Sequence, residues 1–321
     1  MRKICICALK GGVGKSSVVA GLGLALVDKG YKVGFLDIDV TGSNIHSALG
    51  LSEPPKWGLD RINEKIIVPE VNGYWLLSIA SHVGEEYAVL WENSHHAELA
   101  KARDKAVMLI EMLDCMLSEP EKIEQVVSQG FGYHKNQLYV ISRIIDDVLA
   151  SSKWRFISEL LSNEIVTWPK RLDYQIADLP PSTSAEMFSY LDHVKDLFGV
   201  VVVSQPAQIS TTGLIRTIDL LRVKQIPILG LVANQDGFLN RLGEIEYQFL
   251  SPRVDLREVA QKASIPFLVS IPQTGSREKV KPYFAELAGK VISSTPVVLK
   301  EITLGRRFKR KVVKGIARRL T

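Results

Sequence analysis

The residues with the clearest chemical purpose lie in the stretch LKGGVGKSS, residues 9–17. Its second half, Gly14-Lys15-Ser16, closes a phosphate-binding loop of the general form G-x-x-x-x-G-K-[ST]. Glycines let the backbone curl until successive N–H groups point at phosphate oxygens. A helix that starts there adds the positive end of its dipole. Lys15 is then placed to reach the β- and γ-phosphates, and Ser16 to put its hydroxyl on Mg²⁺. The loop departs from the common form at its start, where Leu9 replaces glycine and a second lysine, Lys10, follows. Gly11, Gly12, Val13, Gly14, Lys15, Ser16 and Ser17 suffice to cradle phosphates, which leaves Lys10 in need of a purpose.

A magnesium site also needs carboxylates. Asp37-Ile-Asp39 closes one apolar run and Asp178 closes another, just before Pro180-Pro181. In an open α/β sheet, ligands sit at the carboxyl ends of the strands, so these acids fall where the phosphates would be. Mg²⁺ keeps several waters and takes few protein ligands, so Ser16, Asp37 and Asp178 form a plausible set for it.

The elements that must hold these residues follow from the apolar pattern. Lys3–Leu9 is a short buried run ending in the glycine loop. Ser16–Lys29 reads as a helix, stopped by Gly30, and Lys32–Asp37 as a second buried strand. Further strands are expected at Tyr174–Asp178, Gly199–Ser204, Ile228–Asn234 and Phe267–Ile271, with one or two short ones in Pro69–Ala80, including Tyr74–Ile79. Helices fit at Ser210–Val223 and Asp255–Ala263. This alternation predicts an α/β fold, a doubly wound and mostly parallel sheet.

Residues 97–163 break the alternation. Apolar residues there recur at helical spacing, and Pro120, Gly130 and Gly132 divide the stretch into two long helices and a short one. His95-His96, with Glu92 and Glu98, reads as a solvated helix start, since adjacent histidines cannot share a helical face.

Composition sets the frame. The chain has 321 residues, 46% hydrophobic and 23% charged, with a net charge of +5. That is the profile of a globular protein with a sizeable core. Three cysteines, Cys5, Cys7 and Cys115, are too few for a disulfide framework and suit a reducing compartment. No apolar run reaches the roughly 20 residues of a membrane span, and the early glycine loop leaves no room for a signal peptide. A cytoplasmic protein is therefore expected. Nine Lys/Arg and one acid fall in residues 300–321, so the basic excess belongs to the tail. There RRFKRKVVKGIARRL places Phe308, Val312, Val313, Ile316 and Leu320 at helical spacing. Such a basic amphipathic helix suits an anionic membrane surface, peripheral to which the protein would then sit, or nucleic acid phosphates. It equally suits packing against the body, or a disordered tail.

Taken together, these motifs resemble the deviant Walker A loop ATPases of the MinD/ParA/Mrp branch of P-loop NTPases, and most of all the Mrp type. LKGGVGKSS is similar to their loop, and DIDVTGSNIHSALG to their D-x-D-x-x-G-x-(S/N) segment. Leu90-Trp91 resembles W-R-G, and LDYQIADLPPSTS resembles L-D-Y-x-x-x-D-x-P-P-G-T. GVVVVSQPAQIS, GLVANQ and SIPQT continue the likeness, which covers about residues 1–95 and 165–290. The resemblance implies a P-loop ATPase domain over 1–299, with the helical insert at about 97–163, that binds ATP and Mg²⁺ and dimerises on ATP. It implies that Lys10 crosses to the nucleotide of a second subunit, that Asp39 positions the attacking water, and that Asp178 reaches Mg²⁺ through water. It further implies that Asn234 recognises adenine and that Pro272 lies near the base. Phosphoryl transfer is mostly positioning and charge neutralisation, so these residues would support slow hydrolysis and a nucleotide-dependent switch acting on an unknown protein partner.

Two departures qualify that picture. Mrp-type scaffolds for iron–sulfur assembly usually carry a C-x-x-C between the GLVANQ-like strand and the last strand, whereas residues 235–266 contain no cysteine. Cys5 and Cys7 share one face of the first strand and read as core residues. An iron–sulfur carrier, using a cysteine elsewhere such as Cys115, is therefore the disfavoured alternative. The second departure is Ser182, which stands where a glycine would offer its N–H to the γ-phosphate.

Overall fold

The computed structural model describes residues 1–39, 44–60, 62, 65–78, 161, 166–180, 185–247 and 252–300. The expectations for Leu90-Trp91, His95-His96, Cys115, Ser182, the insert at about 97–163 (Leu161 apart) and the tail beyond Lys300 lie outside these residues.

The core of the fold is β1 (Arg2–Cys7), a strand that is buried from Ile4 onward. It lies parallel to β8 (Tyr174–Asp178) on one side and β9 (Leu197–Ser204) on the other. Outward from β8 come β2 (Val33–Asp37), β6 (Tyr74–Leu77) and β5 (Glu70–Val71). Outward from β9 comes β10 (Ile228–Leu239), which pairs with both β11 (Ile245–Glu246) and β12 (Phe267–Gln273). Among the described residues this sheet has nine strands, antiparallel only at the β5–β6 and β10–β11 pairs. The expected doubly wound sheet is the one observed. Its runs of Val, Ile and Leu are long because both faces are covered.

The two faces carry separate cores. Ile4 and Ile6 of β1 face α1 (Lys15–Asp28) and α6 (Arg277–Ser293). Cys5 and Cys7 face the other way, toward α3 (Ala185–His193), α4 (Gln208–Val223) and α5 (Leu256–Ala263). The period-two alternation of β1 thus assigns its residues to opposite layers. Helix α1 sits unusually close to its neighbours. A Cβ on Gly23 would lie 2.2 Å from the Phe35 ring, and one on Gly21 would lie 2.3 Å from the Phe284 ring.

Several elements extend the sequence reading. A short helix, α2 (Ile45–Leu49), follows β2. A small sheet joins β3 (Gly58–Asp60), β4 (Lys65–Ile67) and β7 (Val166–Thr167). β1 ends at Cys7 rather than Leu9, because the chain there leaves the ladder to begin the glycine loop. β10 runs five residues past Asn234, with a register shift between Asn234 and Phe238.

Candidate functional site

The chain leaves β1 between β8 and β9 and returns through α1 to β2, beyond β8. This is the point where strand order diverges, and in such sheets it forms the ligand crevice. Each loop residue has a definite role in shaping it. Gly14 takes φ +80°, a left-handed conformation that glycine adopts without strain, and is the N-cap of α1. No side chain caps this helix start, so its first N–H groups are left for a ligand. Lys15 is buried, Ser16 is half-buried, and Gly11, Gly12 and Ser17 are exposed along the rim.

The acids meet the loop as the sequence suggested. Asp37 and Asp178 are the last residues of adjacent parallel strands and are register partners. Both are almost completely buried. Burial raises the Asp178 carboxyl to about 6, against the opposing effects of a hydrogen bond from Ser16 and the charge of Lys15; nearby Asp39 adds to the rise. Its Oδ1 is buried and meets no donor among the described residues. An unsatisfied buried carboxylate oxygen beside Lys15 and the Ser16 hydroxyl fits a hydrated Mg²⁺ bound with a nucleotide. Asp37 is occupied differently. Its Oδ1 accepts from the Asp39 backbone N–H at 3.1 Å, and its Oδ2 accepts from the Ser78 hydroxyl at 3.1 Å. The structure therefore ties Asp37 to the backbone leading to Asp39 and leaves the open acceptor on Asp178.

Asn234 lies against the loop itself. Its Nδ2 donates to Val13 O at 2.8 Å, and a Cβ on Gly14 would approach that nitrogen to 2.3 Å. Beyond Asn234 the backbone takes φ +58° at Gln235 and +81° at Gly237, where β10 shifts register against β12. Bulges of this kind re-aim side chains at sites. A groove of about 880 Å³ opens here, bordered by Ser17, Asn234, Gln235, Pro272, Gln273 and Thr274. The fold thus brings Asn234 and Pro272, distant in sequence, to one groove beside the phosphate loop.

Lys10 lies along α4, and its Nζ donates to the buried Ser210 hydroxyl at 2.9 Å. Two glutamines that stood inside quoted motifs without an assigned role complete the loop's surroundings. Gln205 Nε2 donates to Gly12 O at 3.4 Å and also to Gln235 Oε1. Gln205 was findable as the polar residue just past the end of central strand β9. Gln235 ends GLVANQ and Ser210 ends GVVVVSQPAQIS, both stretches that carry the family likeness, but their residue types alone suggested no role. Cys5 and Cys7 are fully buried and unpaired. Burial pushes the Cys7 thiol up to about 12 although Lys15 pulls it down, and raises Cys5 well above its ordinary value. Among the described residues no cluster of three or more His, Cys, Asp or Glu could hold a metal ion, and no helix is long and apolar enough to cross a membrane.

Comparison with known proteins agrees with this geometry. The nucleotide-binding protein of Archaeoglobus fulgidus, solved with ADP, aligns with a TM-score of 0.55 at 22% identity, covering 94% of this chain and 93% of that one. The septum site-determining protein MinD of Pyrococcus horikoshii, solved with Mg-ADP, aligns at 0.53 and 18% identity, covering 91% and 96%. Both establish likeness of fold. By sequence, the chain is 25% identical over 92% of its length to an iron–sulfur cluster carrier protein of Rickettsia felis, and spans 66% of that relative. It is 26% identical over 89% of its length to the cytosolic Fe-S cluster assembly factor CFD1 of Phaeosphaeria nodorum, spanning 89% of it. It spans 60% of an iron–sulfur cluster carrier protein of Aquifex aeolicus at 25% identity. A family model, ParA, described as NUBPL iron-transfer P-loop NTPase, matches residues 1–118 and 115–282. A loop, two strand-end acids and a strand order that each point to a nucleotide phosphate thus meet a match along most of the chain, which belongs to the NUBPL iron-transfer P-loop NTPase family of the ParA type.

Proposed function

We propose that this protein is a Mg²⁺-dependent ATPase that serves as the nucleotide-driven component of iron–sulfur cluster handling. The observation that carries the ATPase reading is the buried Asp178 carboxylate, held by Ser16 beside Lys15 with one oxygen open. Lys15 and the loop N–H groups would hold the β- and γ-phosphates, and the Asn234 groove would take the base. Ser16 and Asp178 would hold the magnesium, which when bound neutralises phosphate charge. Asp39 would orient the attacking water. Lys10 would leave Ser210 and reach the nucleotide of a second copy, so that ATP closes a homodimer around both sites.

The relatives' names shift the weight between the readings that the sequence offered. They favour iron–sulfur cargo, the alternative set aside on sequence grounds, over a switch of unspecified purpose. The chain nevertheless lacks a C-x-x-C in residues 235–266, and its two described cysteines are sealed in the core. Clusters usually require several thiolates. We therefore assign this chain the work of coupling nucleotide to cluster transfer, with the cluster held mainly by ligands of a partner protein. Two measurements test this. Lys15→Ala should abolish Mg-dependent ATP turnover, and turnover equal to wild type would refute the ATPase reading. Anaerobic reconstitution with iron and sulfide should leave the isolated chain without a stoichiometric cluster, and a stable cluster on this chain alone would refute the division of labour.

A further inference from the structure

Ser78 closes the exit of β6, and no motif drew attention to it. It is completely buried. Its hydroxyl donates to Asp37 Oδ2 at 3.1 Å, while its carbonyl accepts from Trp57 Nε1 at 3.1 Å. The second oxygen of Asp37 accepts from the Asp39 backbone N–H, also at 3.1 Å. Trp57, Ser78, Asp37 and Asp39 thus form a continuous hydrogen-bonded series that ends in the segment carrying the proposed water-orienting residue.

The sheet explains why this support comes from outside the site. β2 has β8 on one side and β6 on the other. Asp178 at the end of β8 borders the phosphate loop, so the loop side of Asp37 belongs to the ligand. Ser78 stands on the β6 side, where its hydroxyl holds Asp37 without occupying the loop side. A carboxylate held at both oxygens has little rotational freedom, and the peptide bonded to it is held as well. Trp57 in turn fixes the Ser78 backbone from the residue before β3, so the series is anchored on the small sheet.

We propose that Ser78 is a positioning residue of the nucleotide site, holding the Asp37 carboxylate and through it the backbone at Asp39 in the geometry that hydrolysis requires. The kinetic consequence rests on the ATPase reading; the consequence for the Asp39 backbone does not.

Ser78→Ala and Ser78→Cys remove or weaken the donor, the latter while filling the space, and Ser78→Thr restores a hydroxyl. Steady-state hydrolysis of Mg-ATP, affinity for ADP, and hydrogen exchange of the Asp39 amide in nucleotide-free protein would be measured on the full chain. Expected is a fall in kcat of about ten- to hundredfold in both loss variants, the scale on which misplacement of reacting groups is felt. KM and ADP affinity should stay within about twofold, because Lys15 and the loop are untouched. Ser78→Thr should recover most of kcat, and Asp39 exchange should accelerate in the loss variants alone. An unchanged kcat in the loss variants, or an equal loss in Ser78→Thr, overturns the proposal. So does a fall in ADP affinity that matches the fall in kcat, which would mark general damage. If the wild type itself does not turn over ATP, the ATPase reading fails separately. Asp39 exchange then decides: faster exchange in the loss variants supports the positioning role, and unchanged exchange overturns it.

Discussion

Replacing Asp178 by asparagine should make the nucleotide-free protein more stable at neutral pH while damaging its site. The folded protein holds this carboxyl at about 6 against an ordinary value of 3.8, chiefly through burial. A group whose folded pKa is raised stabilises the fold while protonated, and that contribution is lost as pH rises through the folded value. Relative to its charged form, Asp178 therefore contributes fully below about pH 4 and loses that contribution as pH rises through about 6; relative to a neutral side chain, the same difference is the cost of its buried charge at higher pH. At 1.36 kcal/mol per pH unit, the charge costs the nucleotide-free protein about 3 kcal/mol at pH 8. Asparagine removes the charge but leaves amide hydrogens where Oδ1 has no partner, which returns about 1–2 kcal/mol of that. The net gain at pH 8 is about 1–2 kcal/mol, while the pH dependence is less affected by the offset. The advantage of Asp178→Asn over wild type should grow by about 2–3 kcal/mol between pH 4 and pH 8. Urea unfolding of both proteins across that range, without nucleotide, measures it. In the same variant Mg²⁺ should no longer tighten ADP binding. A stability difference that stays flat from pH 4 to pH 8, or that moves against Asp178→Asn, would refute the reasoning.

Other consequences follow from the same geometry. Asn234→Ala strips the Val13 carbonyl of its donor and the groove of an amide, so ADP affinity should fall about tenfold or more, read by calorimetry. Gly14→Ala should be worse, since it combines φ +80° with a 2.3 Å approach to Asn234 Nδ2; loss of ADP binding with the fold retained, seen by circular dichroism, is the expected result. Lys10→Ala should lower ATP turnover and remove its dependence on protein concentration, if turnover requires the paired state. Cys5 and Cys7 should resist alkylation in native protein at pH 8 and react on unfolding, because burial keeps both thiols protonated there; peptide mass spectrometry distinguishes these sites.

Much of this was legible in the chain, for reasons that differ by element. Tyr174–Asp178 could be read to the residue because a doubly buried strand excludes charge, although it admits Gln175, so the first charge marks its end. Asp37 could be placed for the same reason. The small sheet escaped notice because strands of two or three residues, such as Val166–Thr167, are too short to show a period. β10 was cut short at Asn234 because an asparagine followed by Gln-Asp-Gly reads as a turn. It continues through left-handed residues at Gln235 and Gly237 that keep the chain on the sheet. The site divides in the same way. Loop and acids are adjacent to strand ends and can be located by the rule for open sheets. Gln205, Ser210 and Ser78 act through partners as many as two hundred positions away, and no local pattern encodes those contacts.

The stretch where Mrp-type scaffolds usually carry C-x-x-C also bears on the proposed division of labour. Its first part is a closed turn between β10 and β11, organised by one asparagine. Asn240 Oδ1 accepts the backbone N–H groups of Leu242 and Glu244 at 2.9 Å, and its Nδ2 donates to Glu246 Oε1 at 2.8 Å. Lys279 of α6 donates to the Asn240 carbonyl at 3.1 Å, fastening the turn to the helix beside it. Structural metal sites contribute folding energy that their loops otherwise lack. Here hydrogen bonds of the asparagine and a lysine close the turn. What the chain does carry is a glycine loop with Lys15 and Ser16 and the strand-end acids Asp37 and Asp178. Under the proposed division of labour, a chain with the phosphate loop and strand-end acids but no C-x-x-C in residues 235–266 would couple nucleotide to the movement of a partner's cluster.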